Sequence, residues 1–301
     1  MTAAPRALAP LDLLQLLSIA LIWGVNNIFA KIAIDALPAM MTAALRFVIV
    51  LACLAAWLRP PPKENRWLFF AMLACVGPLH FGIQYAGLKL AHDLAPMVVV
   101  MQLWAPASVV FAAVLLKEIV SPLRWAGVAV AFLGAASLNF DPVVFAQGWA
   151  LLFVATASCC YGLGTVLVRR LGGGLDPWAT QAWIALASAP TLSLASLAFE
   201  HDHLEQAQHA HWSIWFFVVF GAVVSSIVAN AFIFRLVQKY EVSRTTPYLL
   251  MTPVITFTLA AFVLGDTITP NIIAGAATTM LGVGLVALAE RRFKPVAPSP
   301  D

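Results

Sequence analysis

Ten apolar runs, each close to the length of a membrane crossing and parted by short breaks, dominate this chain of 301 residues. They cover 11–33, 38–58, 67–88, 94–116, 123–140, 148–168, 177–199, 212–236, 242–264 and 270–289. A bilayer's hydrocarbon core, about 30 Å thick, is crossed by an α-helix of about 20 apolar residues. The breaks carry helix-ending residues, as in Arg59-Pro-Pro-Pro-Lys63, Gly172-Gly-Gly174 and the polar stretch His201–His211. Hydrophobic residues make up 62% of the chain and charged residues 10%, against about 25% charged in a soluble domain. One water-soluble core could not hide that much apolar surface, so the expected fold is an all-α membrane protein of ten transmembrane helices.

The first run exceeds a signal peptide's apolar region of about 7–15 residues and lacks a small-x-small cleavage site, so it is read as the first span. Residues 1–10 and 290–301 then form tails. With the N-terminus in the cytoplasm, fourteen of the seventeen Lys and Arg face inside, as the positive-inside rule requires. Lys89 falls outside, and Lys31 and Arg46 lie within spans. Both termini are expected in the cytoplasm, across an inner (cytoplasmic) membrane of bacterial type. Trp57, Trp67, Trp125, Trp149, Trp178, Trp212 and Trp215 mark span ends, where an aromatic belt sits at headgroup level. The small net charge of +3 gives no reason to expect nucleic acid as a partner.

The chain also repeats itself. A shift of 148 carries Ala112, Glu118, Pro122, Gly127 and Gly134 onto Ala260, Asp266, Pro270, Gly275 and Gly282. With one gap, Pro106 falls on Pro253. A shift of 138 carries Trp23-Gly24 and Lys31 onto Tyr161-Gly162 and Arg169, the difference being absorbed by 201–211. The two units, 11–140 and 148–289, hold five spans each, and an odd number forces the copies to face opposite ways. Inverted repeats of this kind characterise secondary transporters, with the substrate site near the midplane between them.

These residues carry a family resemblance over essentially the whole chain. Trp23-Gly24 with Lys31, Pro38, Arg46-Phe47, and the blocks ending in Glu118 and Asp266, each followed by glycine at nine and sixteen residues, resemble the drug/metabolite transporter superfamily and its ten-helix EamA-type exporters. Within these the chain looks most like the YddG-type aromatic amino acid exporters. The resemblance implies two inverted five-helix repeats around a central cavity, and export of small metabolites such as aromatic and neutral amino acids. Asp266 departs from the family block, which more often has Glu, and Ala185 stands in the second copy where Arg46 stands in the first.

The polar residues inside the spans are the candidate substrate-binding groups. Arg46, ninth in its run, is too deep to snorkel and must face the bundle or a wet cavity; it either attracts a substrate carboxylate or fixes packing. Asn26 and Asn27 either bind a zwitterion or join helices. Lys31, one turn from the outer interface, is expected to snorkel. His80 and Gln84 follow Pro78, which bends the third span. Gln102 and Trp104 adjoin Pro106 on the fourth. Together His80, Gln84 and Trp104 are read as cavity-lining, against interhelical hydrogen bonding and lipid contact. Tyr161 with Thr165, Ser226 with Asn230, and Tyr248 with Thr252 and Thr256 form hydroxyl and amide stripes that serve either packing or substrate. The glycines at 127/134 and 275/282 predict close helix contact.

Some chemistry is missing. All fourteen acidic residues fall in loops or at span ends, whereas ion coupling and recognition of lipophilic cations commonly use a buried carboxylate. Facilitated transport follows unless His80 titrates. No H-E-x-x-H, G-x-S-x-G or buried Asp pair is present, which speaks against an enzyme. Cys53, Cys75, Cys159 and Cys160 lie in apolar runs and are read as packing residues. The histidines of 201–211 are read as a solvated loop in preference to a zinc site, and no cofactor is expected. The expected partners are a small-molecule substrate and membrane lipid; the sequence does not set the oligomeric state, and a monomer suffices. The alternative cargo is another metabolite or a drug, such as a nucleoside or a sugar-linked compound.

Overall fold

A computed structural model describes residues 9–62, 64–171, 176–239, 249 and 251–292. Each of the ten predicted spans contains a helix. Eight are long and apolar enough to cross a membrane: α1 (Pro10–Ala36), α2 (Ala39–Trp57), α3 (Arg66–Leu90), α4 (Leu94–Leu115), α6 (Gly148–Val168), α7 (Pro177–Phe199), α8 (Trp212–Ile233) and α10 (Pro270–Ala289). Between them lie two shorter apolar helices, α5 (Pro122–Ser137) and α9, described over Met251–Leu264. Large apolar side chains such as Leu133, Leu197, Phe262 and Leu281 stand exposed on the helix flanks, the faces a bilayer would cover.

Several helices are irregular, for identifiable reasons. Proline has no N–H, and its ring clashes with the carbonyl four residues back. Pro106 therefore breaks α4 at Gln102–Leu103, where Gln102, Leu103 and Ala105 donate to carbonyls only three residues back. Pro78 lies in a π-helical segment, Cys75–Leu79, with Gly77 off helical geometry at φ −106°, ψ −106°. The other repeat has a π-helical segment at the corresponding place in α8, Gly221–Ala229, although no proline lies there.

Contacts between helices reproduce the repeat and its inversion. Gly24 seats α1 on α9 at Thr252 and Ile255, and Gly162 seats α6 on α4 at Trp104 and Ser108. Helix α8 runs antiparallel to α1, with Phe29 stacked on Phe217 at 4.2 Å and Asn26 opposite Gly221. Helix α3 runs antiparallel to α6 in the same way, with Gly87 at Ala150 and Val76 at Gly164. Even the helix endings agree. Lys117 and Gly265, one shift of 148 apart, are both left-handed at φ 53° and 74°. The next residues, Glu118 and Asp266, donate their N–H to Ala112 and Ala260, each six residues back.

Helices α5 and α10 pack antiparallel through the predicted glycines. A Cβ on Gly282 would lie 2.3 Å from the Ala131 nitrogen, and one on Gly134 would lie 2.5 Å from the Thr279 nitrogen. Carboxylates from the second repeat cap helices of the first. Glu200 accepts from the Met40 and Met41 N–H groups at the start of α2, at 2.8 and 3.1 Å. Asp266 Oδ2 accepts from Leu94 and Ala95 at the start of α4, at 2.7 and 2.8 Å. Burial pushes the Asp266 carboxyl up from the usual range, and these two donors pull it back. At the opposite end of the α2–α7 pair, Arg59 contacts Asp176 at 3.4 Å and its carbonyl accepts from Trp183 Nε1. The segments next to 59 and next to 200 thus lie at opposite ends of the bundle.

Two substitutions test this packing. Gly282→Ala should cost about 1–3 kcal/mol through overpacking, read as a lower Tm in detergent. Gly284→Ala, whose Cβ would meet nothing within 4 Å, should leave Tm unchanged or higher. Asp266→Ala should cost about 0.5–2 kcal/mol by orphaning two N–H groups, and Asp266→Asn, which keeps an acceptor, should cost less.

Candidate functional site

The irregular middle of α3 meets α6, α4 and α2 in an aromatic cluster. His80, directly after the π-helical segment, places its ring 4.8 Å from Tyr161 and 4.7 Å from Phe81. Tyr161 packs edge-on against Trp104 at 5.7 Å, and Phe81 against Phe47 at 4.9 Å. His80 Nδ1 lies 2.9 Å from the Ala157 carbonyl. A carbonyl only accepts, so Nδ1 carries the proton and a neutral ring keeps Nε2 as an acceptor. One turn on, Gln84 donates to Met101 Sδ at 3.6 Å, and its Oε1 is buried without a partner. His80, Gln84, Trp104 and Tyr161, singled out separately in the sequence, therefore come together on three helices. Gln102 stands at the break in α4, and its side chain makes no hydrogen bond among the described residues.

Arg46 lies beside this cluster, 6% exposed, with its Cζ 5.2 Å from the centre of the Phe81 ring. Its Nε donates to Ser226 Oγ at 3.0 Å, Nη1 to Tyr85 Oη at 3.0 Å and Nη2 to Ser225 Oγ at 3.5 Å. Among the described residues no carboxylate lies within ion-pair distance of it. Arg46, Tyr85, Asn26, Thr42 and Gly221 line a cavity of about 10 Å³ with Ala30, Ala33, Phe217 and Val218, enough for about one water. The wide pocket implied by the resemblance is thus narrow in this conformation.

The remaining candidates engage the protein itself. Asn27 donates to Thr256 Oγ1 at 3.2 Å, joining α1 to α9. Asn230 donates to the Ser226 carbonyl of its own helix at 2.8 Å. Tyr248 lies outside the described residues. Lys31 does not snorkel: it is 5% exposed and donates to Asp35 and to the Ala91 carbonyl, both at 2.7 Å. A carboxylate one turn away and a carbonyl on a neighbouring helix replace water for it. In the histidine loop, His203 Nε2 meets Ser196 Oγ and His211 Nδ1 meets Ser213 Oγ.

The sequence reading missed Tyr85, Phe81 and Ser225. Tyr85 carried the clearest signal, since a phenol mid-span needs a polar partner and Arg46 was the candidate at similar depth. Ser226, one of the packing hydroxyls, turns out to accept from the Arg46 guanidinium.

Comparison with known proteins places this site in a family. The model of the EamA-like transporter family matches residues 11–140 and again 148–288. A Salmonella typhimurium protein named "Probable amino-acid metabolite efflux pump" is 24% identical over 274 residues, covering 89% of this chain and 91% of its own. A Pseudomonas aeruginosa protein named "Probable biotin transporter" is 31% identical over 142 residues, 46% of this chain and 47% of its own. One solved crystal structure shares the fold at a TM-score of 0.62 and 22% identity, covering 93% of this chain and 98% of that one. Two matched copies of the repeat, spanning nearly the whole chain, make this multi-pass membrane protein a member of the EamA-like transporter family.

Proposed function

We propose that this protein exports small metabolites, above all amino acids with aromatic or neutral side chains, across the cytoplasmic membrane by alternating access. The observation that carries the reading is the mid-membrane cluster of His80, Tyr161, Trp104 and Phe81, beside a buried amide oxygen of Gln84 that has no partner. Aromatic faces attract an ammonium group and pack against apolar side chains. The neutral His80 Nε2 and Gln84 Oε1 supply acceptors for the ammonium's N–H groups. The name of the Salmonella relative supports amino-acid-like cargo; the name of the Pseudomonas relative supports a broader reading in which other small metabolites are carried.

No carboxylate among the described residues sits at the middle of a span, which supports facilitated export without a buried acidic coupling residue. The basic residues support an orientation with both termini in the cytoplasm, and a single chain holds both repeats, which supports a monomer as the transporting unit.

The test is counterflow in proteoliposomes with labelled phenylalanine, tryptophan, threonine and methionine. Flux of at least one is expected, and folded protein that moves none of them overturns the reading. His80→Ala and Trp104→Ala should each cut flux about tenfold, the equivalent of about 1.4 kcal/mol, at unchanged expression. Asn230→Ala, which removes a bond within one helix, should stay close to the parent. Orientation is checked by labelling single cysteines. Pro61→Cys should react only with a cytoplasmic reagent and Gln206→Cys only with an external one.

A further inference from the structure

The geometry points to the Arg46 cavity as a carboxylate subsite, one that confines the cargo to compounds bearing a free carboxylate. This deepens the reading above and rests on it. A buried guanidinium without a counter-charge is expensive in a medium that offers no water. The three hydroxyls of Tyr85, Ser225 and Ser226 accept its hydrogen bonds but bring no negative charge. A guanidinium has five N–H donors, so two remain unassigned.

The other groups at the cavity are also donors. Asn26, 9% exposed, makes no side-chain hydrogen bond among the described residues, and it lies against the cavity with Arg46. Tyr85 accepts from Arg46, which leaves its own O–H free to donate. Thr42, by contrast, spends its proton on the Pro38 carbonyl. A cation, an amide and a phenol converging on a space the size of a water suit the end of a carboxylate and leave little room for a larger anion.

The site is backed by Gly221, where the chain enters the π-helical segment of α8. A Cβ there would lie 3.1 Å from Asn26 Oδ1 and 3.7 Å from Arg46 Nη1. A methyl group at 221 would therefore fill the cavity while leaving every Arg46 hydrogen bond in place, and alanine is the better helix former. Gly221→Ala thus separates a binding role of Arg46 from a purely structural one.

The experiment compares counterflow of L-phenylalanine with that of L-phenylalaninamide, and follows the Tm of parent and variant protein in detergent. The acid should be carried about tenfold better than the amide or more, the scale of a lost hydrogen bond to a charged group. Gly221→Ala should raise the KM for the acid by a similar factor with Tm kept, and Arg46→Gln should abolish the preference for the acid. Equal transport of acid and amide, or an unchanged KM in Gly221→Ala, overturns the subsite and leaves amino acid export standing. Flux that needs chloride, with gluconate unable to replace it, also overturns it by giving the cavity to a free halide. Should no amino acid move at all, the export reading fails. The subsite is then read from the Tm of the parent with benzoate: a rise that Gly221→Ala removes supports it, and no rise overturns it.

Discussion

A polar group inside a bilayer has no water to fall back on, and the arrangement of this bundle follows from that one constraint. Lys31 ends between Asp35 and the Ala91 carbonyl. Asn27 turns to Thr256, and Asn230 turns back on its own helix. The starts of α2 and α4, where N–H groups would otherwise be orphaned, are closed by Glu200 and Asp266 from the other repeat. Each solution also ties two parts of the fold together, so satisfying the backbone and joining the repeats are one task. Arg46 is the exception, because its partners satisfy its geometry and leave its charge unanswered.

The sequence made the scaffold legible because its signals are local or periodic. Run length gives the helices, and Glu118 and Asp266 mark identical helix endings one shift of 148 apart. Gly127, Gly134, Gly275 and Gly282 announce the close α5–α10 contact by their spacing. The convergence of His80, Trp104 and Tyr161 was half legible: each is a polar or aromatic residue at mid-depth, but nothing local says they share a neighbour. The α8 distortion could not be read, since Gly221–Ala229 lacks the proline that flags its counterpart at Pro78. The capping of α2 by Glu200 was equally hidden, because 160 residues separate the two.

Symmetry of the frame and asymmetry of its lining divide the labour. The pseudo-twofold pairs Gly24 with Gly162 and sets α1 on α9 as it sets α6 on α4, a relation that lets either half open while the other closes. The residues facing inward do not obey it. Trp104 corresponds to Thr252, and Arg46 to Ala185. Cargo therefore meets one aromatic, basic wall and one smaller, hydroxyl-bearing wall, and the direction in which a molecule lies between them is fixed by composition.

The π-helical segment before His80 has a consequence for how that ring is aimed. Successive residues of an α-helix point about 100° apart, and a π-bulge amounts to one residue more than the regular turn holds. Everything beyond it is rotated by one such step relative to an unbroken helix. His80 reaches the Ala157 carbonyl only with the extra residue stored on its N-terminal side. Were α3 to straighten by passing that residue along, His80 and Gln84 would swing together off α6. The bearing of the histidine is thus a two-position setting, held by a single surplus residue and not by any hinge between helices.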